Sequence, residues 1–188
     1  MNVLAIECSC QQGSVAILQD GAVMKSWKFE SPRGRGAGLF PHLESALHES
    51  GRPGLVVVGT GPGGYNGLRM SIAAAWGVAR ACGARLAGIS SLLGYDAPEY
   101  FVVGDARAGQ WFLAHVAYGK FRSPPALCCP QDARLLPGIP VFATSRLDDL
   151  PEAMVAAPCA GILASRDYVE GLPAPVYLKP PHITKPAP

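Results

Sequence analysis

Residues 55–83, LVVVGTGPGGYNGLRMSIAAAWGVARACG, constrain the fold more than any other stretch of the chain. The stretch begins with Leu55, Val56, Val57 and Val58, wholly apolar and mostly β-branched, the pattern of a strand buried on both faces. Gly59, Gly61, Gly63, Gly64 and Gly67 then fall within nine residues, with Pro62 among them. A helical run at 68–82 follows directly. Strand, glycine turn and helix N-terminus together offer an anion cradle, because the first N–H groups of a helix lack internal partners. A tight turn with close strand–helix packing accounts for the same residues. The spacing matches neither a Walker loop nor the dinucleotide fingerprint.

The helix is unusual in itself. Between 68 and 81 only Arg69, Ser71 and Arg80 are plainly polar. Ala73, Ala74, Ala75, Gly77, Ala79 and Ala81 keep it narrow, while Leu68, Ile72, Trp76 and Val78 supply bulk. A helix apolar most of the way round needs cover on more than one side. It is either a central helix sandwiched within one domain, or a helix with one face on its sheet and the other on a partner protein.

The chain has 188 residues, 49% hydrophobic and 16% charged, enough to bury a sizeable core and too apolar to be disordered. A net charge of +2 gives no argument for a nucleic-acid surface. The six cysteines (Cys8, Cys10, Cys82, Cys128, Cys129 and Cys159) show neither CxxC pairs nor zinc spacing. They read as free thiols of a reducing cytosol, with Cys8 and Cys10 on one face of a strand. A strand pattern starts directly after Met1, with no signal peptide before it. Arg69 and Arg80 interrupt the one long apolar stretch, so no transmembrane span is expected.

In order along the chain, 3–6 is a buried strand ending at Glu7-Cys8-Ser9-Cys10, and 14–18 is a second. Asp20-Gly21 signals a hairpin into a third strand at 22–29. The segment 31–38 is a basic, glycine-rich loop. Leu39, Phe40, Leu43, Ala46 and Leu47 recur at helical spacing up to Gly51. After the central unit come a strand at 85–89, a short helix at 90–95, a strand at 101–104, a turn and a returning strand at 110–118. Beyond Lys120 proline breaks blur the pattern, with short apolar pieces at 141–143 and 161–164. The tail from Pro180 reads as extended. No internal repeat is visible.

Chemistry-bearing constellations are sparse. Glu7, at the end of a buried strand, suits either a metal or water facing a phosphate, or a strand-end residue bonding the turn backbone. Asp105 and Arg107 flank a turn, where a cap or local ion pair is the simplest reading. His42, His48, His115 and His182 form no HxxxH or HExxH pair, and Glu44 with His48 makes only two ligands. No GxSxG elbow is present.

The opening VLAIECSCQQGSVAILQDG, the block VVGTGPGGYNGLRMSIAAAWGVARACG, the ISSL that follows and DARAGQWF at Asp105 occur in this order. Together they resemble the TsaB (YeaZ) family, glycoprotease-like, non-catalytic relatives of the TsaD proteins. The resemblance covers residues 1–118, and Pro175-Val176-Tyr177-Leu178-Lys179 is similar to the family's closing strand. Its most specific part is the glycine block, where strand, loop, arginine and alanine-rich helix match together.

The resemblance implies an α/β, actin-like ATPase (ribonuclease H-like) fold in two lobes, one over 1–97 and a shortened second over 98–188 with a proline-rich tail. In the first lobe a three-strand meander is joined in parallel by the strands at 55–59 and 85–89. Functionally it implies a cytoplasmic scaffold that binds a TsaD-like catalytic subunit and works with a TsaE-like ATPase. Their product is N6-threonylcarbamoyladenosine at position 37 of tRNA, which the scaffold meets only through the complex. No catalytic residue, cofactor, metal or membrane contact is implied. Gly61, Gly63, Gly64 and Gly67 are then a vestigial phosphate loop beside Glu7, with ATP or ADP bound weakly or not at all. The partner face falls on two helices, through Leu39, Leu43 and Leu47 on the first and Met70, Ala74 and Val78 on the second.

The chain departs from the family pattern at several points. Glu7-Cys8-Ser9 stands where Asp-Thr-Ser is usual, Arg35-Gly36 where His-Ser precedes the first helix, Gly64-Tyr65-Asn66 where Ser-Phe-Thr is usual, and Gln110 replaces a glutamate. These changes weaken a nucleotide site and leave the helices intact. Two alternatives stand beside the scaffold. A degenerate actin-fold kinase or glycoprotease-like hydrolase would need paired carboxylates or metal-binding histidines. A retasked paralogue would form a homodimer through the same helix face.

Overall fold

A computed structural model describes residues 1–30, 38–133 and 138–179. Arg35-Gly36, His182 and the tail from Pro180 lie outside the described residues. The chain folds as two sheets with helices, in the α/β class. The first sheet opens with β1 (Asn2–Glu7), β2 (Gln12–Gln19) and β3 (Ala22–Glu30), an antiparallel meander. Helix α1 (Leu39–Ser50) leads to β4 (Leu55–Gly59), and α2 (Tyr65–Cys82) leads to β5 (Arg85–Ile89). β4 pairs in parallel with both β1 and β5, as helical crossovers require. With the short β11 (Val169–Glu170) the order is β11-β5-β4-β1-β2-β3.

The apolar run of β4 behaves as a strand covered on both sides. Val56 and Val58 join Leu4 and Ile6 under α1 and α2, whereas Leu55 and Val57 face the opposite way. There they share a core with Tyr100, Val102, Phe112 and Val116 of the second sheet. Ala5, Ala16 and Leu18 accept the small α4 (Ala160–Leu163) through Ala160.

The second sheet holds β6 (Glu99–Asp105), β7 (Trp111–Ala117), β8 (Lys120–Cys128), β9 (Val141–Ala143) and β10 (Met154–Val155). Its order is β10-β9-β6-β7-β8. Mapping β6–β10 onto β1–β5 gives the same neighbours with the same parallel and antiparallel senses. The second sheet is therefore a reduced topological copy of the first, although no repeat is visible in the sequence. Both hairpins even turn alike, with Asp20-Gly21 and Tyr118-Gly119 all at positive φ. The reduction lies in the helices. Among the described residues between β8 and β9 the helix is α3 (Pro130–Ala133), and 144–153 form turns and bends where the first lobe has α2.

The structure decides three further stretches. β8 forms although Pro124 and Pro125 blurred its pattern. It lies at a sheet edge, where a missing N–H is tolerated. The short piece at 161–164 is the helix α4. The closing strand at 175–179 is not formed, since 175–177 take no regular structure and 178–179 bend. The chain also returns to its start, because α4 and β11 complete the first lobe after the second sheet.

Candidate functional site

The carboxyl ends of β1, β4, β6 and β9 open toward one cleft of about 630 Å³ between the sheets. Crevices outside the carboxyl ends of strands are the usual ligand positions in α/β folds. Its walls are the turn after β1 (Ser9, Cys10), the glycine loop (Gly63, Gly64, Gly67), the turn after β6 (Asp105, Arg107), and Thr144 with Ser145 after β9. The segment 176–179 lines it as well.

The glycine loop is set by close approach. A Cβ at Gly63 would overlap Ser9, and one at Gly67 would overlap the Cys8 carbonyl oxygen. Gly64 N donates to Ser9 O at 2.7 Å, tying the start of α2 to the turn after β1. Helix α2 begins at Tyr65, three residues before the apolar run, because Gly64 takes the extended N-cap conformation without any side-chain cap. Gly61 has φ +93°, precedes a cis Gly61–Pro62 bond, and is fastened to the ISSL segment. Its N–H donates to Ser91 Oγ at 2.9 Å, and its carbonyl accepts from Ser90 Oγ at 2.9 Å.

Glu7 does not face the cleft. It is fully buried, with Oε1 accepting from Ser9 N at 2.5 Å and Oε2 accepting from Ser91 Oγ at 2.7 Å. A Cβ at Gly59 would collide with this carboxylate, so Gly59 makes the room for it. Burial raises the Glu7 carboxyl above its ordinary range, partly offset by the bonds from Ser9 and Ser91. Of the two readings of Glu7, the geometry is that of the strand-end residue bonding a turn. Sequence reasoning did not single out Ser91, although the ISSL segment carried it.

The thiols are quiet. Cys8 and Cys10 sit in the turn after β1 rather than within a strand. Burial and the nearby Glu7 push the Cys10 thiol up to about 12 and that of Cys8 higher still. Neither is a thiolate at neutral pH, and only the thiolate attacks. Asp105 caps its own turn, its Oδ1 accepting from Arg107 N at 2.7 Å. The cleft's described lining residues thus present backbone, hydroxyls, protonated thiols, the Asp105 carboxylate and two cationic side chains, Arg107 and Lys179, with no carboxylate pair among them.

The helix residues expected at a partner face separate into two groups. Leu39 is 0% exposed and Leu43 6%, and both belong to the lobe's own core, as does Ala46. Their i, i+4, i+7 stripe is the one that α1 lays on the sheet, so they cannot meet a partner without unfolding. That part of the expectation is corrected. Leu47, Met70, Ala74 and Val78 are half-buried, packed at the flanks of the same core. What the helices expose is different: Phe40, Glu44 and His48 on α1, and Arg69, Ala73, Trp76 and Arg80 on α2. Trp76 is 53% exposed and Phe40 55%. Periodicity alone finds an apolar stripe but not which side of the helix the sheet takes.

Among the described residues no helix is long and apolar enough to cross a membrane, and no three metal-ligating side chains converge. The chain matches no family profile, and no curated protein matches it. Two solved structures are similar over nearly the whole length. YeaZ from Pseudomonas aeruginosa is 24% identical, with a TM-score of 0.66 over 87% of this chain and 89% of its own. A protein described as similar to peptidase YeaZ from Pseudomonas aeruginosa is also 24% identical, with a TM-score of 0.70 over 95% of this chain and 99% of its own. With its two sheets, parallel β1-β4-β5 core and the cleft at their carboxyl ends, the chain has the α/β fold of YeaZ.

Proposed function

We propose that the chain is a non-catalytic scaffold subunit of the tRNA N6-threonylcarbamoyladenosine complex, holding a TsaD-like catalytic subunit with a TsaE-like ATPase. The likeness to YeaZ over nearly the full length carries this reading. The inward commitment of Glu7 supports the non-catalytic part, since it leaves Asp105 as the one carboxylate among the cleft's described lining residues, without a second acid beside it to hold a metal against a phosphate. The partner face in this reading is the outer side of α1 and α2, centred on Trp76 with Ala73 and Gly77 beside it. Small residues there let another helix come close, and a large aromatic among them is the usual anchor of an interface.

Reconstitution tests the function. The TsaD-like and TsaE-like subunits should modify tRNA with this chain present and fail without it; equal modification in its absence overturns the reading. Trp76→Arg tests the face. The side chain is exposed, so the fold should lose no more than about 0.5 kcal/mol. Association with the TsaD-like subunit should weaken by roughly 2 kcal/mol or more, about thirtyfold, seen as lost co-purification. Unchanged melting with unchanged co-purification would move the interface elsewhere.

A further inference from the structure

After β11 the chain leaves the first sheet and runs beside α2. Pro173 packs on Gly88 of β5, close enough that a Cβ at Gly88 would crowd it. Val176 N donates to Thr60 O at 2.8 Å, beside the glycine loop. The Tyr177 ring stacks on Tyr65 with centroids 5.3 Å apart, and its hydroxyl accepts from Arg69 Nε at 3.2 Å. The Arg69 guanidinium also lies 4.2 Å from the Tyr65 ring centroid. All of these anchors belong to the first lobe. The next contact does not: Lys179 Nζ donates to Arg107 O at 2.6 Å, in the turn between β6 and β7.

That turn is conformationally unusual. Arg107, Ala108 and Gly109 follow one another at φ +66°, +53° and +69°. A residue with a Cβ disfavours this region, and two in succession require outside support. Within the turn, Asp105 Oδ1 holds Arg107 N, and Gln110 N reaches Arg107 O at 3.2 Å. Ala106 N also donates to Gln110 O at 2.9 Å, and Lys179 adds a bond from outside the turn, from the opposite wall of the cleft.

We propose that residues 176–179 are a clasp across the interlobe cleft, seated on the first lobe through Tyr65 and holding the left-handed 105–110 turn of the second through Lys179. Seating or release of this segment sets how far the cleft opens and whether the turn keeps its conformation. The device is independent of which partner or ligand the chain meets.

Hydrogen–deuterium exchange of the full chain tests it, read at the peptide covering 105–110. Lys179→Met keeps the side chain's length without its donor and should speed exchange there by about threefold or more, whereas Lys179→Arg should leave it near wild type. Tyr65→Ala removes the ring on which Tyr177 stacks and leaves the Val176 N to Thr60 O bond in place. It should loosen the same turn to a similar extent while exchange in β1 and β4 stays protected. A turn indifferent to Lys179→Met overturns the proposal. So does a turn that responds to Lys179→Met but not to Tyr65→Ala, because the seat on Tyr65 then plays no part in holding it. If Tyr65→Ala instead speeds exchange throughout the chain, Tyr65 is a core residue and the clasp is refuted.

Discussion

Glu7→Ala should destabilise the chain by about 3 kcal/mol, or roughly 6–12 °C in Tm at this size, without altering the cleft's exposed groups. The carboxylate is fully buried and accepts from Ser9 N and Ser91 Oγ. Removing it strands a buried amide and a buried hydroxyl, each worth about 1–3 kcal/mol when left unpaired. Loss of a desolvated acid offsets part of that. Glu7→Gln separates the two effects, because its carbonyl still accepts from Ser9 N and its amide can donate to Ser91 Oγ. That variant should lie within about 1 kcal/mol of wild type. Urea unfolding of the three proteins checks the order. A harmless Glu7→Ala would mean that the pocket made by Gly59, Ser9 and Ser91 has another source of support.

The pH dependence follows from the same burial. The folded state binds the Glu7 proton more tightly than the unfolded chain does, since burial raises its carboxyl above the ordinary 4.5. Between those two values the folded state holds more protons, so this group's contribution falls as pH rises through the interval and is level above it. Glu7→Gln cannot ionise and lacks this slope. Subtracting its unfolding free energy from that of wild type cancels the other titrating groups. The difference should favour wild type more at about pH 4.5 than at about pH 8. A flat difference would mean that the carboxyl is not raised.

Much of the first lobe was legible because its signals are local. Asp20-Gly21 turns the hairpin as two positive-φ residues should, and 85–89 is the strand that its pattern predicted. The run at 55–58 shows why β4 lies inside the sheet: its side chains are apolar on both parities, which only two covered faces accommodate. The second lobe was harder, because β9 and β10 are only three and two residues long and its edge strand carries Pro124 and Pro125. Its repeat of the first lobe lives in pairing order, not in residue identity, and so leaves no periodic trace.

The cleft was half legible. Glycines announce that something approaches the backbone without saying whether it is a ligand or the chain itself; here Ser9 and Cys8 are what approach. Ser91 and Thr144 reach the region from far along the sequence, and nothing local marks them. On α1 the stripe Leu39-Leu43 was correctly apolar and wrongly assigned outward. A helix wheel shows one apolar face, and the sheet takes that face first.

Two glycines of α2 should respond to the same substitution with opposite signs. Alanine is a better helix former than glycine by about 1 kcal/mol, so propensity alone favours both Gly67→Ala and Gly77→Ala. At Gly77 an added methyl meets nothing within 4 Å, and the variant should gain about 0.5–1 kcal/mol. At Gly67 the methyl would overlap the Cys8 carbonyl oxygen and crowd its carbon. Backbone cannot rotate aside as a side chain would. Either α2 moves off β1, breaking the Gly64 N to Ser9 O bond, or the turn after β1 deforms around Glu7. Overpacking of this kind costs about 1–3 kcal/mol against a propensity gain of about 1, leaving Gly67→Ala net destabilised by up to roughly 2 kcal/mol. Chemical denaturation of both variants beside wild type reads the signs directly. If Gly67→Ala is stabilised as Gly77→Ala is, α2 does not approach β1 as closely as this geometry requires, and the glycine loop is free to serve a ligand after all.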